Sequence, residues 1–188
     1  HLNDKNYGLG YSRNLGISLS SSNWITFLDQ DDLYNSNRLR KIIELKNNNE
    51  NILFFFHDTN YIDENDNIID SHLKNYKIPF PKIIQRVSTS LLIKYGSYID
   101  SEAVFFNKTI IPNLEKFDEK LTYLCDYDFF IKVSMKYDFV YTNEKLSSWR
   151  VHKNQQQKTN KNQKIERLKL FSKYLFNKNT NIIDKIYC

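Results

Sequence analysis

Glycine and proline are scarce in this chain, with 4 Gly and 3 Pro in 188 residues, which argues against low-complexity linkers. Cysteine is nearly absent. Cys125 and Cys188 lie far apart and carry no Cys–His spacing of a zinc site, so a reducing cytoplasm is the expected setting. No apolar run approaches the roughly 20 residues that a membrane-spanning helix needs, and no secretory leader opens the sequence. The first residue is His1 rather than Met, so a start further upstream is expected.

Aromatic side chains are plentiful. With 13 Tyr and 13 Phe the aromatic share reaches 15%, which supports a packed core despite the many Asn and Lys. At this length a single domain with a real core is expected. The net charge of +5 suggests nucleic acid as a partner, but the charge is unevenly placed. From Lys153 onward the basic residues are opposed only by Glu166 and Asp184, while the rest of the chain is slightly acidic. A nucleic-acid-binding module would carry its charge on the core, so no such partner is expected. The basic end reads as a solvated helix face that could also touch anionic lipid.

Periodicity gives the order of elements. Residues 10–19 read as a short helix and 24–28, Trp-Ile-Thr-Phe-Leu, as a buried strand. Ser36 can cap a helix running to about Lys46, with Leu39, Ile42, Ile43 and Leu45 on one stripe. A strand at 52–56 leads into a hairpin at 63–67, and 103–106 is a further strand. The stretch from 70 to 101 gives no readable order. Residues 126–137 form a helix, 139–142 and 146–151 short strands, and 165–176 an amphipathic helix that packs through Leu168, Phe171 and Leu175. Alternating strands and helices point to the α/β class.

The chemistry concentrates at the end of the 24–28 strand, in Asp29-Gln30-Asp31-Asp32. In open α/β sheets ligands bind in the crevice beyond the strands' carboxyl ends. Three carboxylates crowded there repel one another unless something positive sits among them, and a hard divalent cation carrying phosphate oxygens suits that place. An EF-hand is excluded because Leu33-Tyr34 do not continue its pattern. The bland alternative is that these acids cap the following helix.

Further segments flank the acidic loop: Asn6-Tyr7-Gly8, Ser12-Arg13-Asn14-Leu15-Gly16, Asp126-Tyr127-Asp128-Phe129-Phe130 and Trp149-Arg150-Val151-His152. In this order and spacing, over roughly residues 6–155, the chain resembles the family 2 glycosyltransferases of the GT-A fold. The resemblance implies a mixed, mostly parallel sheet flanked by helices. It implies a donor and metal part at 1–60, an acceptor part at 70–155 and a basic amphipathic helical tail at 156–188. It also implies that the two strand–helix units which open the family's domain, and which hold the nucleobase, are missing here.

By the same resemblance Asp31 and His152 are expected to hold a divalent metal, Mg²⁺ or Mn²⁺. Arg13, Asp29, Asp32 and Arg150 are expected to meet a nucleotide-sugar donor. Asp126 is expected to be the general base that takes the acceptor's proton. It follows Cys125, where the family has Glu, and Asp128 is the competing candidate; both can equally cap the helix they open. Asn14 and Gly16 read as local packing, Trp149 as core, and His57 and His72 as ordinary polar residues. The expected reaction is inverting sugar transfer to a saccharide or lipid-linked acceptor in bacterial surface-polysaccharide synthesis, at the inner face of the membrane. The alternative is an incomplete, inactive remnant.

Overall fold

The computed structural model describes residues 3–76, 83–84, 89–113, 116–152 and 161–175. Phenylalanine builds its centre. Strands β3 (Phe54–Ile62) and β7 (Phe139–Arg150) run parallel along most of their length. Phe54 of β3 stacks on Phe139 with ring centroids 4.1 Å apart, and meets Phe106 and Phe130 at 5.8 Å. Such stacked and edge-on aromatic pairs add to the free energy of burying their large apolar surface.

Around this pair the sheet takes the order β1-β6-β3-β7-β2, with β1 at Trp24–Ile25, β2 at Leu33–Tyr34 and β6 at Val104–Asn107. β4 (Ile68–Ser71) pairs with the end of β3, and β5 (Ile83–Ile84) with the start of β7. The helices are α1 (Leu9–Leu19), α2 (Arg38–Asn47), α3 (His72–Tyr76), α4 (Thr89–Tyr95), α5 (Cys125–Ser134) and α6 (Lys161–Leu175). α5 is the most deeply set, with Phe129, Phe130, Ile131 and Val133 buried. Among the described residues no helix is long and apolar enough to cross a membrane.

The α/β class is as expected, but the sheet is less parallel than expected. Among the described strands β3 with β7 is the one parallel pair; the other pairings are antiparallel. The tight 63–67 turn allows β4 to fold straight back on β3, whereas a parallel neighbour needs a long crossover. That turn is present: the Asp63 carboxylate accepts hydrogen bonds from Asn65 N, Asn67 N and Asn67 Nδ2.

Other boundaries move for local reasons. The ladder of β1 stops at Ile25 because the Thr26 hydroxyl takes the Val104 carbonyl at 2.7 Å and the Tyr34 hydroxyl takes the Phe27 carbonyl. The chain then peels away into the acidic loop. β7 is a single strand, and the polar break expected near 143–145 is a bulge, since His57 pairs with Thr142 and Asp58 with Lys145. The 70–101 stretch contains α3 and α4, both too short to show a helical period. On α6 the buried side chains are Leu170 and Tyr174, while Leu168, expected inside, is 69% exposed.

The stripe expected on α2 is likewise shifted. Leu39 and Ile43 are exposed, and the inward positions belong to Ile42 and Arg38. The Arg38 guanidinium is buried over the Tyr34 ring, 3.9 Å from its centroid. It donates to His57 Nε2 at 3.0 Å, Thr26 Oγ1 at 2.8 Å and the Glu102 carbonyl at 2.9 Å. One arginine therefore ties α2 to β3, to the chain after β1 and to the entry of β6.

His57 completes this knot as a neutral ring. Its Nε2 accepts from Arg38 and its Nδ1 donates to the Asp58 carbonyl at 2.9 Å. Burial, and then the Arg38 charge, bring its pKa from 6.5 down to about 3. Below pH 6.5 the unfolded chain takes up a proton that the folded chain refuses, so this contribution to stability is present above 6.5 and is lost as pH falls toward 3. One such group lowers unfolding free energy by about 1.4 kcal/mol per pH unit in that window. Urea titrations at pH 7 and 5 should show this loss, reduced by about one proton's worth in His57→Gln. An unchanged slope in the variant would contradict the assignment.

Candidate active site

The acidic loop is pinned by β7. Pairing of Leu33 with Ser148 and Tyr34 with Ser147 sets β2 beside the end of β7 and brings residues 149–152 against the loop. Asp32 turns inward, and its Oδ1 accepts the Arg150 backbone N–H at 2.9 Å. Burial, with the nearby Asp31 and Asp29 charges adding to it, raises its pKa from 3.8 to about 7. The Arg150 guanidinium donates to the Asp31 carbonyl at 2.9 Å and the Asp63 carbonyl at 2.8 Å, and pairs with Asp66 at 2.6 Å. Arg150 thus clamps the acidic loop to the β3–β4 turn.

Asp31 and Asp29 face outward. Asp31 Oδ2 lies 3.0 Å from His152 Nε2, and both side chains are partly open to solvent. Among the described residues no three His, Cys, Asp or Glu side chains converge on one point. Asp31 and His152 nonetheless suit a Mg²⁺ or Mn²⁺ ion, which takes one or two protein ligands and completes its shell with water and substrate phosphate.

Arg13 joins this loop to α5. Its guanidinium, 4% exposed, pairs with Asp29 at 3.6 Å and with Asp126 on the other side. It rests on the rings of Phe27 and Phe117, with centroids at 4.9 and 5.7 Å. The motif around it explains the placement. Gly8 enters α1 at φ 92, a conformation that suits glycine, with its N–H bonded to Asn6 Oδ1. At Gly10 a Cβ would stand 3.1 Å from the Asp118 carbonyl, so α1 packs close to the 117–119 chain. Asn14 locks that contact, bonding both the N–H and the carbonyl of Phe117 at 3.0 Å.

The two aspartates of α5 separate cleanly. Asp128 is fully buried and holds Lys132 at 2.6 Å, Lys173 at 2.9 Å and the Tyr174 hydroxyl at 2.7 Å. It is an anchor for α6, and these cations and hydrogen bonds keep its pKa below the usual value despite burial. Asp126 faces the open side, 19% exposed. The chain that leads into this helix is tied to α6: Glu166 accepts the N–H groups of Thr122, Tyr123 and Leu124 at 2.8, 2.9 and 3.2 Å.

Asp29 and Asp126 line a cleft of about 230 Å³ together with residues that the sequence did not single out, among them Asp100, Glu102 and Arg167. His72 and Trp149, read as an ordinary polar residue and as core, also line it. Asp100 and Glu102 carried no motif, and they border the stretch whose order was unreadable.

A mixed α/β sheet with a carboxylate loop facing a helix-borne aspartate across a cleft is the arrangement of a GT-A-type glycosyltransferase domain. Residues 1–175 match the profile described as Glycosyltransferase like family 2, and the chain belongs to that family. An uncharacterized glycosyltransferase of Methanocaldococcus jannaschii is 31% identical over 173 residues, covering 92% of this chain and 56% of that protein. One from Rickettsia typhi is 28% identical over 178 residues, covering 91% and 53%. The chain therefore spans about half the length of the curated relatives it matches. Among solved structures, S. aureus TarS superposes with TM-score 0.67 at 14% identity, over 98% of this chain and 32% of TarS. Its 1–349 fragment in complex with UDP-GlcNAc gives 0.62 at 16% identity, over 82% and 42%.

Proposed function

We propose that this chain carries the metal and catalytic part of an inverting glycosyltransferase that moves a sugar from a nucleotide-sugar donor to a saccharide or lipid-linked acceptor. One observation supports this above the others: Arg13 pairs at once with Asp29 of the acidic loop and with Asp126 of α5. It brings a donor-side carboxylate and a base candidate to one cleft. The setting consistent with this reading is surface-polysaccharide synthesis at the cytoplasmic side of a bacterial membrane. UDP and UDP-GlcNAc are bound by the structurally similar TarS fragment, which makes a uridine diphosphate sugar the first donor to try.

In this reading Asp126 accepts the acceptor hydroxyl's proton on the oxygen away from Arg13. The acceptor oxygen then forms its bond to the anomeric carbon as the bond to the diphosphate oxygen breaks on the opposite face, which inverts that carbon. Arg13 orients both carboxylates, and Arg150 holds the loop in place through its main chain. A divalent ion at Asp31 and His152 would neutralise charge developing on the departing diphosphate.

The test is release of UDP from UDP-GlcNAc by the purified protein with Mn²⁺ and a panel of saccharide acceptors. Release should cease with EDTA and fall at least about 100-fold in Asp31→Ala. Release indifferent to both, or none above background, would overturn the reading.

A further inference from the structure

The inner wall of the cleft holds polar groups that the transfer step leaves unused. Glu102 is 3% exposed, and its Oε1 has no hydrogen-bond partner. Its main chain is fixed from behind, because Arg38 donates to the Glu102 and Val104 carbonyls at 2.9 and 3.3 Å. The carboxyl group is thus held at the cleft with Oε2 accepting from the Ser101 hydroxyl at 3.5 Å and Oε1 left without a partner, an arrangement that costs stability. Asp100 stands nearby and meets His72 Nδ1 at 3.1 Å, and the same nitrogen lies 2.6 Å from the Tyr61 hydroxyl. Across them Trp149 and Tyr61 meet edge to face with centroids 5.0 Å apart.

We propose that Glu102 and Asp100, with the Trp149–Tyr61 wall, form a subsite for an uncharged pyranose ring next to Asp126. This rests on the glycosyltransferase reading and names the chemistry of one substrate group. A pyranose offers hydroxyl donors around its rim and an apolar C–H face. Acidic oxygens accept the first and aromatic rings cover the second. Burial raises the pKa of both carboxyl groups well above the usual range, so at these two groups a carboxylated or phosphorylated sugar would meet either repulsion or a neutral acid; Arg167, which also lines the cleft, is supplied by α6. The ring can come from the donor or from the acceptor, both of which must reach Asp126.

The indole N–H resonance of Trp149, assigned with Trp149→Phe, reads occupancy. The probes are methyl glucoside, methyl mannoside, N-acetylglucosamine, methyl glucuronide, UDP and UDP-GlcNAc, the last two with Mg²⁺. A shift with free neutral sugars identifies an acceptor ring; a shift with UDP-GlcNAc but not UDP identifies the donor's. The glucuronide should bind at least about ten-fold more weakly than the glucoside. Glu102→Ala should weaken the response about ten-fold or more without lowering Tm, because it removes a buried carboxyl oxygen that has no partner. Glu102→Gln should give a smaller loss. If no sugar moves Trp149, or Glu102→Ala leaves affinity unchanged, the subsite is wrong. Amide shifts of residues 29–32 with UDP report the donor reading separately in the same samples.

Discussion

Replacing Asp126 with Asn should reduce sugar transfer about a thousand-fold, in the range expected for loss of a positioned base, while UDP affinity changes little. The asymmetry follows from geometry. Asp126 is held by the Arg13 guanidinium at the start of α5, at the cleft, whereas Asp31 stands on the acidic loop beside His152. The amide keeps the size of the side chain and a contact for Arg13, but cannot take a proton. The matched control is Asp128→Asn. That residue lies beneath Lys132, Lys173 and Tyr174, so its loss should lower Tm, and the remaining folded protein should keep its turnover. Equal loss of turnover in both variants, after correction for folded fraction, would place the base elsewhere.

Arg38→Ala should cost at least about 3 kcal/mol of unfolding free energy, the scale of several buried acceptors losing their donor at once. Its acceptors are the buried His57 Nε2 and two β6-side carbonyls, with the half-buried Thr26 Oγ1. The truncation also opens a void beside the Tyr34 ring. Urea denaturation measures it directly. A cost under 1 kcal/mol would mean that α2 docks by other means.

The site was legible where residue type and spacing were both constrained. Arg13, Asn14 and Gly8 carried a pattern because α1 must pass close to the 117–119 chain and still deliver a guanidinium to two carboxylates. The acidic loop was legible because carboxylates at a strand end are chemically costly without a purpose. Arg150 was expected at the donor, and the structure shows its guanidinium bonded to Asp31, Asp63 and Asp66; sequence has no way to show that a hairpin from β3 returns to that point.

What escaped was tertiary. Arg38 looked like one base among many on an exposed helix, since nothing local reveals that its guanidinium replaces the stripe of Leu39 and Ile43 as the buried contact. Asp100 and Glu102 follow two short helices and no motif, so their meeting with Asp126 depends wholly on β6 pairing between β1 and β3. The role of α6 was half visible. Its amphipathic face predicted packing, but the hold that Glu166 has on the chain entering α5 joins residues more than forty positions apart.

The most direct test of the account is calorimetric titration of UDP into the purified protein, with Mn²⁺ and again with EDTA. A metal and donor site at Asp31 and His152 predicts binding that needs Mn²⁺ and that Asp31→Ala removes, with Tm unchanged in the variant. UDP binding of equal strength in EDTA, or retained in full by Asp31→Ala, would contradict it.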